Sequence, residues 1–284
     1  RTEQTYRAEL QRLKRSAVGL WYPVQKRAAE ILGDTRVRRP GRYLIARAMR
    51  DYVDERLEPG DILLSRKNWY LSNVGLPGFW PHAMLYLGDP KKLDGYFEGV
   101  SLGDERSMSA HLSEHYPNAW NAYLADGHGE PQRVIEAVSE GVVFSTLEHC
   151  AGDYFAAMRP RLDKHDKAMA IAFAFAQHEK PYDFDFDFAT DHALVCTELV
   201  WRSYRPAKER SHAIDFSLVP VAGRMTLPAN ELALKYAREA GTAAAQLDFV
   251  VFVDAREDLG EAFVSSEEAF RASARRTKWD IAQE

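Results

Sequence analysis

The stretch Ala193-Leu-Val-Cys196-Thr-Glu-Leu-Val-Trp-Arg-Ser-Tyr204 holds one of the two cysteines of the chain at the start of a segment with helical spacing. Thr190 or Asp191 can serve as its N-cap, so we predict a helix over 193–204 with Cys196 in or near the first turn. Unpaired backbone N–H groups and the helix dipole at such a position favour a thiolate. Cys196 is therefore a candidate nucleophile, although a free cysteine on an apolar helix is more often a small core residue.

A nucleophilic cysteine needs a base, and the base needs a group that orients it. Of the nine histidines, His82 is the best placed, because it begins an apolar strand directly after a loop rich in Gly, Pro and aromatic residues. Glu136 lies between apolar residues in a short predicted strand, where a carboxylate is unusual unless it is paired or faces solvent. Each residue taken alone has an ordinary structural explanation; the combination indicates thiol chemistry.

The composition excludes several classes of protein. The chain has 284 residues, 46% of them hydrophobic, with 37 basic and 42 acidic side chains and a net charge of −5. A chain of this length needs no disulfide framework, and its apolar fraction is too high for a disordered protein. The acidic balance argues against a nucleic-acid partner. Two cysteines alone cannot build a zinc ribbon or an iron–sulfur site, and we expect no cofactor and no metal.

Hydrophobic periodicity and turn residues predict an α+β fold with a central, antiparallel sheet packed by helices. Helices are predicted at 2–32, 44–57, 163–179, 193–204 and 231–240, and strands at 61–65, 82–88, 133–138, 141–147 and 247–254. This pattern divides the chain into a helical N-terminal extension (1–58), a catalytic domain (59–255) with a polar insertion at about 89–131, and a charged C-terminal tail (256–284).

Four stretches of the chain carry a family resemblance. They are Pro59-Gly-Asp-Ile-Leu-Leu-Ser65, Trp80-Pro-His-Ala-Met-Leu-Tyr-Leu-Gly88, Val134-Ile-Glu-Ala-Val-Ser-Glu-Gly-Val142, and Lys180-Pro-Tyr-Asp-Phe184 followed by Val195-Cys-Thr-Glu-Leu-Val200. Together they resemble the permuted papain-like amidases, circularly permuted relatives of the NlpC-type cysteine peptidases. As in the permuted enzymes, the histidine strand precedes the cysteine helix. The resemblance implies a permuted papain-like fold, with the N-terminal helices as an addition to it.

The resemblance also implies roles for individual residues. Cys196 would be the nucleophile, His82 the base and Glu136 the orienting residue, while Tyr182 matches a tyrosine that lines the site in NlpC-type enzymes. Tyr182 and Trp80 are expected to contribute to the oxyanion hole or to substrate binding; for the aromatic loop that ends near Trp80, ordinary packing at the rim of the site is the alternative.

The implied activity is a thiol-dependent hydrolase that cleaves an amide bond, either peptide or lipid-linked, through an acyl-enzyme. An acyltransferase, a thioesterase and a non-catalytic binding module on the same fold remain open. The expected partner is a peptide, amide or acyl-lipid substrate. The basic stretch within residues 1–42 permits peripheral association with a membrane or the cell envelope. Location is left open between the bacterial cell envelope and the cytoplasm.

Two other motifs and the second cysteine point to different chemistry. The segment His111-Leu-Ser-Glu114-His115 fits the H-x-x-E-H zinc-protease pattern, but its helix is expected to be short and to lie in a polar insertion. The alternating aspartates after Tyr182 lack the Gly and Glu of a calcium loop. Cys150 has no favourable setting for a reactive thiol, so we expect it to be structural; a disulfide with Cys196 is the alternative.

Overall fold

The computed structural model describes residues 43–68, 78–125, 127, 129–184, 188, 192–208, 210–221 and 223–277. The predicted helix 2–32 and most of the aromatic loop 66–81 lie outside the described residues. None of the helices in the described part of the chain has the length and apolar character needed to cross a membrane.

The described residues form a mixed α/β structure in which helices and strands are largely segregated. The helices are α1 (Arg47–Asp54), α2 (Pro90–Tyr96), α3 (Met108–His115), α4 (Pro117–Leu124), α5 (Leu147–Ala151), α6 (Lys164–Phe175), α7 (Cys196–Tyr204), α8 (Ala229–Glu239) and α9 (Glu267–Ser273). The strands are β1 (Ile62–Arg66), β2 (His82–Tyr86), β3 (Val134–Val138), β4 (Gly141–Ser145), β5 (Tyr154–Pro160), β6 (Val219–Val221), β7 (Arg224–Thr226), β8 (Leu247–Arg256) and β9 (Glu261–Ser265).

Seven strands make one sheet in the order β4-β3-β2-β1-β5-β8-β9, and every neighbouring pair is antiparallel. Strand β1 is buried along its whole length, because alternate residues enter two apolar layers on opposite faces of the sheet. Leu64 packs in the larger layer with residues of α6, α7 and α8, and Leu63 packs in the smaller layer with residues of α1 and α5. The predicted α+β class with a central antiparallel sheet is confirmed.

Strand β5 is the main element missing from the sequence prediction. It lies between β1 and β8 in the sheet, yet it contains Ala156 and Ala157, which have low strand propensity, and it shows no alternation because both faces are buried. Its extended conformation is therefore stabilised by pairing with β1 and β8 in the folded sheet.

In the described residues, the C-terminal tail and the insertion both pack with the sheet. Strand β8 continues past residue 255, β9 pairs with it, and Phe270 of α9 is fully buried in the larger apolar layer. The insertion also contributes to that layer, because α2–α4 bury Leu93, Leu112 and Tyr123 there. The tail and the insertion are thus part of the same folded body as the sheet.

The Gly60-Asp61 pair anchors the start of β1. Gly60 has φ +91°, and its carbonyl oxygen accepts a hydrogen bond from the hydroxyl of Tyr204, at the end of α7. Asp61 is fully buried, and its two carboxylate oxygens accept hydrogen bonds from Arg159 at 2.8 and 2.9 Å. This motif therefore ties α7 and β5 to β1, and its role is structural.

Candidate active site

A histidine and a carboxylate meet on one face of the sheet. His82 begins β2 and Glu136 lies in β3, and by strand alternation both side chains lie on the same face as Met84 and Val134. His82 Nε2 donates to Glu136 Oε2 over 2.6 Å, and the Glu136 side chain is only 2% exposed. Because Nε2 donates to Glu136, Nδ1 is the ring nitrogen that can interact with a thiol.

The cysteine reaches this pair where β2 and β3 separate. The two strands pair at Leu85–Ile135 and Tyr86–Val134, but the paired register does not extend to His82 or Ala83. Helix α7 packs against both strands, and the backbone N–H of Ala83 is close enough to the Cys196 sulfur to lower the pKa of its thiol. The divergence of two neighbouring strands thus creates the room in which thiol and imidazole meet.

The helix begins at Cys196 itself, three residues later than the sequence predicts. Its N-cap residue is Val195, and no side chain caps it; Thr190 and Asp191, the predicted N-caps, lie outside the described residues. Since the first N–H groups of a helix have no partner within the helix, those of α7 remain directed at the space around the sulfur. The N–H of Thr197 is one of them, and it lowers the pKa of the Cys196 thiol.

The site stabilises the charged forms of both side chains. Burial alone raises the pKa of Cys196, but the charge and hydrogen bond of His82 and the two backbone N–H groups outweigh burial and lower it. Burial likewise lowers the pKa of His82, but the thiolate and the Glu136 carboxylate raise it to about 10. These opposite shifts favour a thiolate–imidazolium pair at neutral pH.

Glu136 is held ionised although it is buried. Burial raises its pKa, but the hydrogen bond and charge of His82, followed by the charges of Lys67 and His149, lower the pKa well below its ordinary value. A carboxylate that stays charged stabilises the imidazolium.

Cys150, predicted to be structural only, is in contact with this carboxylate. It is fully buried in α5, and its thiol donates to Glu136 Oε1 over 3.4 Å. Burial and the charge of Glu136 raise the pKa of Cys150 well above its ordinary value, so the group keeps its proton. Both cysteines are free, and no disulfide joins them. The sequence carries no signal for this contact, since it depends on how α5 folds back against β3.

The chain matches the family described as permuted papain-like amidase enzymes of the YaeF/YiiX type, C92 family, over residues 56–247. This match covers well over half of the chain. The chain belongs to the C92 permuted papain-like amidases. The resemblance seen in the four sequence stretches is therefore confirmed, and a cysteine peptidase-like amidase is the class of enzyme that the family represents.

The chain was also compared with curated proteins and with solved structures. No curated protein matches the chain significantly. Among solved structures, the crystal structure of metalloprotein yiiX from Escherichia coli O157:H7 is similar, with 16% sequence identity and a TM-score of 0.35, over 74% of this chain and 97% of that one.

In this C92 chain, Tyr182 lies beside the nucleophile. The segment around it is held by a bridge to Leu194 and by the N–H of Val142, which donates to the Lys180 carbonyl over 2.9 Å. Gly141 permits this approach, because a Cβ atom there would lie 2.5 Å from that carbonyl oxygen. Burial and then the charge of Cys196 raise the pKa of Tyr182 well above its ordinary value, so its hydroxyl stays a donor.

Trp80 lies elsewhere than the sequence interpretation suggested. Its side chain is fully buried, and its indole N–H donates to Ser273 Oγ over 3.0 Å. Its ring packs edge-on against Phe252 and Phe270. With its polar atom engaged and its ring in the core, Trp80 serves to anchor the chain before His82 and does not face a substrate.

Two groups of side chains in the described ranges have the spacing of metal ligands. They are Glu105 with His111 and His115, and Asp163 with Asp166 and His212. Neither includes a residue of the Cys196 site.

Proposed function

We propose that this protein is a thiol hydrolase that cleaves an amide bond, in a peptide or a lipid-linked acyl group, through Cys196, His82 and Glu136. The observation that carries the proposal is the position of His82 beside a cysteine at the start of a helix, with its Nε2 atom 2.6 Å from Oε2 of the buried Glu136. In this setting the pKa of the thiol is lowered and that of the imidazole is raised. A structural cysteine needs neither shift.

Acylation begins when the Cys196 thiolate attacks the amide carbonyl carbon. The carbon–sulfur bond forms and the carbonyl electron pair moves to oxygen. When the tetrahedral intermediate collapses, the carbon–nitrogen bond breaks and the His82 imidazolium gives its proton to the leaving nitrogen. The products of this half-reaction are a free amine and a thioester on Cys196.

Deacylation uses the neutral imidazole that remains. His82 takes a proton from water as the water oxygen attacks the thioester carbonyl carbon. The carbon–sulfur bond then breaks, which releases a carboxylic acid and restores the thiolate–imidazolium pair. Glu136 holds the ring orientation and stabilises the imidazolium throughout.

The oxyanion of both intermediates would be bound by the Cys196 N–H, at the uncapped start of α7, and by the Tyr182 hydroxyl. Donors that are already in place when charge develops need no reorganisation during the reaction. The absence of a side-chain N-cap on α7 fits this role, since a cap would occupy the same N–H groups.

Incubating the purified chain with a panel of N-acyl amides and peptides, followed by intact-mass measurement, tests the proposal. We expect a mass increase equal to the acyl group, located on Cys196 by peptide mapping, with turnover lost in Cys196→Ala and a far-UV circular dichroism spectrum equal to that of the wild type. Turnover that persists in Cys196→Ala, or an acyl group on Cys150, would overturn it.

A further inference from the structure

The insertion between β2 and β3 contains a compact group of one carboxylate and two imidazoles. Glu105 precedes α3, and His111 and His115 lie one helical turn apart on it, so that both rings project from the same face. The rings stack at 4.3 Å between centroids. The carboxylate of the H-x-x-E-H pattern, Glu114, is exposed and is not a member of the group; the carboxylate of the group comes from Glu105, which precedes the helix.

Two nitrogen–oxygen distances within this group, one to each oxygen of Glu105, are close to the spacing of ligands around a tetrahedral ion. His111 Nδ1 lies 3.3 Å from Glu105 Oε2, and His115 Nδ1 lies 3.3 Å from Glu105 Oε1. Zinc bonds of about 2.0–2.1 Å place tetrahedral ligand atoms about 3.4 Å apart. An octahedral ion with bonds of about 2.0–2.1 Å would bring them to about 2.9 Å.

Two of these atoms are buried without a hydrogen-bond partner. Glu105 Oε2 and His111 Nδ1 are both inaccessible to solvent, and although they are 3.3 Å apart, they are not aligned as donor and acceptor. Buried polar atoms in native proteins are nearly always satisfied, so such a pair calls for an additional group. A cation between them would satisfy both.

We propose that Glu105, His111 and His115 bind one Zn²⁺ ion, with water as the fourth ligand. Two imidazoles and a carboxylate are ligands that Zn²⁺ accepts, and the half-exposed His115 leaves an open side for water. His115 Nδ1 also lies 3.1 Å from the His111 carbonyl oxygen and can donate to it in the metal-free protein. Zinc at Nδ1 requires the tautomer of His115 that carries its proton on Nε2.

The second group with ligand spacing provides a contrast. Asp166 accepts from the N–H groups of Ser211 and His212 at 2.9 and 2.8 Å, and Asp163 Oδ1 accepts from the N–H of Asp166. These carboxylates are engaged in capping and turn contacts, and His212 is 70% exposed. We expect no metal there, and His212→Ala is a matched control.

The alternative to a metal site is a simple ion pair between Glu105 and protonated histidines. Stacked imidazoles that were both charged would repel each other, whereas neutral imidazoles are the form that binds metal. The two possibilities differ in one respect that can be measured: only the metal site makes stability depend on zinc.

Titration of the full-length, chelator-treated protein with ZnCl₂ by calorimetry tests the proposal, together with the visible spectrum of the Co²⁺-loaded protein. Because Cys196 and His82 could also take up zinc, the titration is repeated in Cys196→Ala. We expect one zinc per chain in Cys196→Ala, a tetrahedral Co²⁺ spectrum, and a rise of Tm with zinc. His111→Ala and Glu105→Gln should weaken binding at least about tenfold, while His212→Ala should not change it.

Three results would overturn the zinc site. They are the absence of zinc binding in Cys196→Ala, binding that His111→Ala leaves unchanged, and a Tm that falls in His115→Ala without any dependence on zinc. The last is the signature of the ion pair. His115 is 46% exposed, so its substitution should leave the fold intact, as circular dichroism can verify. None of these outcomes bears on the amidase proposal.

Discussion

Cys150 Sγ lies 3.4 Å from Glu136 Oε1, so that the thiol and His82 each engage one oxygen of the same buried carboxylate. A carboxylate held at both oxygens has one orientation, and the imidazole that it contacts inherits that orientation. We therefore propose that both cysteines of the chain act in one site, Cys196 as the nucleophile and Cys150 as a positioning residue behind the carboxylate of Glu136.

Replacement of Cys150 tests this relationship. Cys150→Ala leaves a buried carboxylate oxygen without its donor, at a cost of about 1–3 kcal/mol, and we expect a lower kcat/KM together with a shifted pH profile. Cys150→Ser restores a donor and should recover most of both. If the alanine and serine variants lose activity equally while their profiles match the wild type, Cys150 contributes packing alone.

The pH dependence of Cys196 alkylation reports on the ion pair. Since the pKa of Cys196 is lowered, its reaction with iodoacetamide should reach half its maximal rate below the ordinary thiol pKa of about 8.5. His82→Ala removes the stabilising charge, so burial dominates and the midpoint should move above that value. Cys150 serves as the internal control, because its raised pKa should keep it unlabelled in the native protein.

Turnover should be lost at alkaline pH, as well as at acidic pH where Cys196 becomes protonated. Acylation needs the protonated imidazole, and the pKa of His82 is raised to about 10, so kcat/KM should fall as the pH rises through that value. The plateau between the two limbs is the range in which thiolate and imidazolium coexist. An alkaline limb near the ordinary histidine pKa of about 6.5 would contradict the ion pair.

Tyr182→Phe removes a hydroxyl from beside the nucleophile and little else. If that hydroxyl binds the oxyanion, kcat should fall by up to about 10²- to 10³-fold while KM changes little. Tyr52→Phe, on α1, provides a matched control and should leave kcat unchanged. An unchanged kcat in Tyr182→Phe would leave the helix N-terminus as the oxyanion donor and contradict the role of the hydroxyl.

Asn230 should matter for stability more than its position on α8 suggests. Its side-chain oxygen accepts from the N–H groups of Phe79 and Trp80 at 3.1 and 3.3 Å, and its amide donates to the Ala274 carbonyl at 2.9 Å. Asn230→Ala leaves these buried groups without partners, and we expect a loss of at least about 2 kcal/mol in the free energy of unfolding. Denaturant titration should show no such loss for the exposed Asn121→Ala.

Strong local patterns account for what the sequence could predict. The strand that begins at His82 is an apolar run directly after a loop rich in turn residues, and the segment with Cys196 has helical spacing; both form close to the expected positions. Strand β5 is not predicted because its alanines have low strand propensity, and the charges of the tail give no sign that Phe270 is buried in the core.

The sequence by itself determined the class of fold, the family and the candidate groups for a thiol site, because these follow from residue types and from the order of short motifs. Only the tertiary structure decided which side chains meet. In the folded protein, Cys150 contacts Glu136, and the side chain of Trp80 lies in the core. Strands β2 and β3 separate beside the helix that carries Cys196, and Glu105 lies close to two histidines. Each of these contacts depends on the relative placement of separate elements, and that placement is set by how their buried faces pack together.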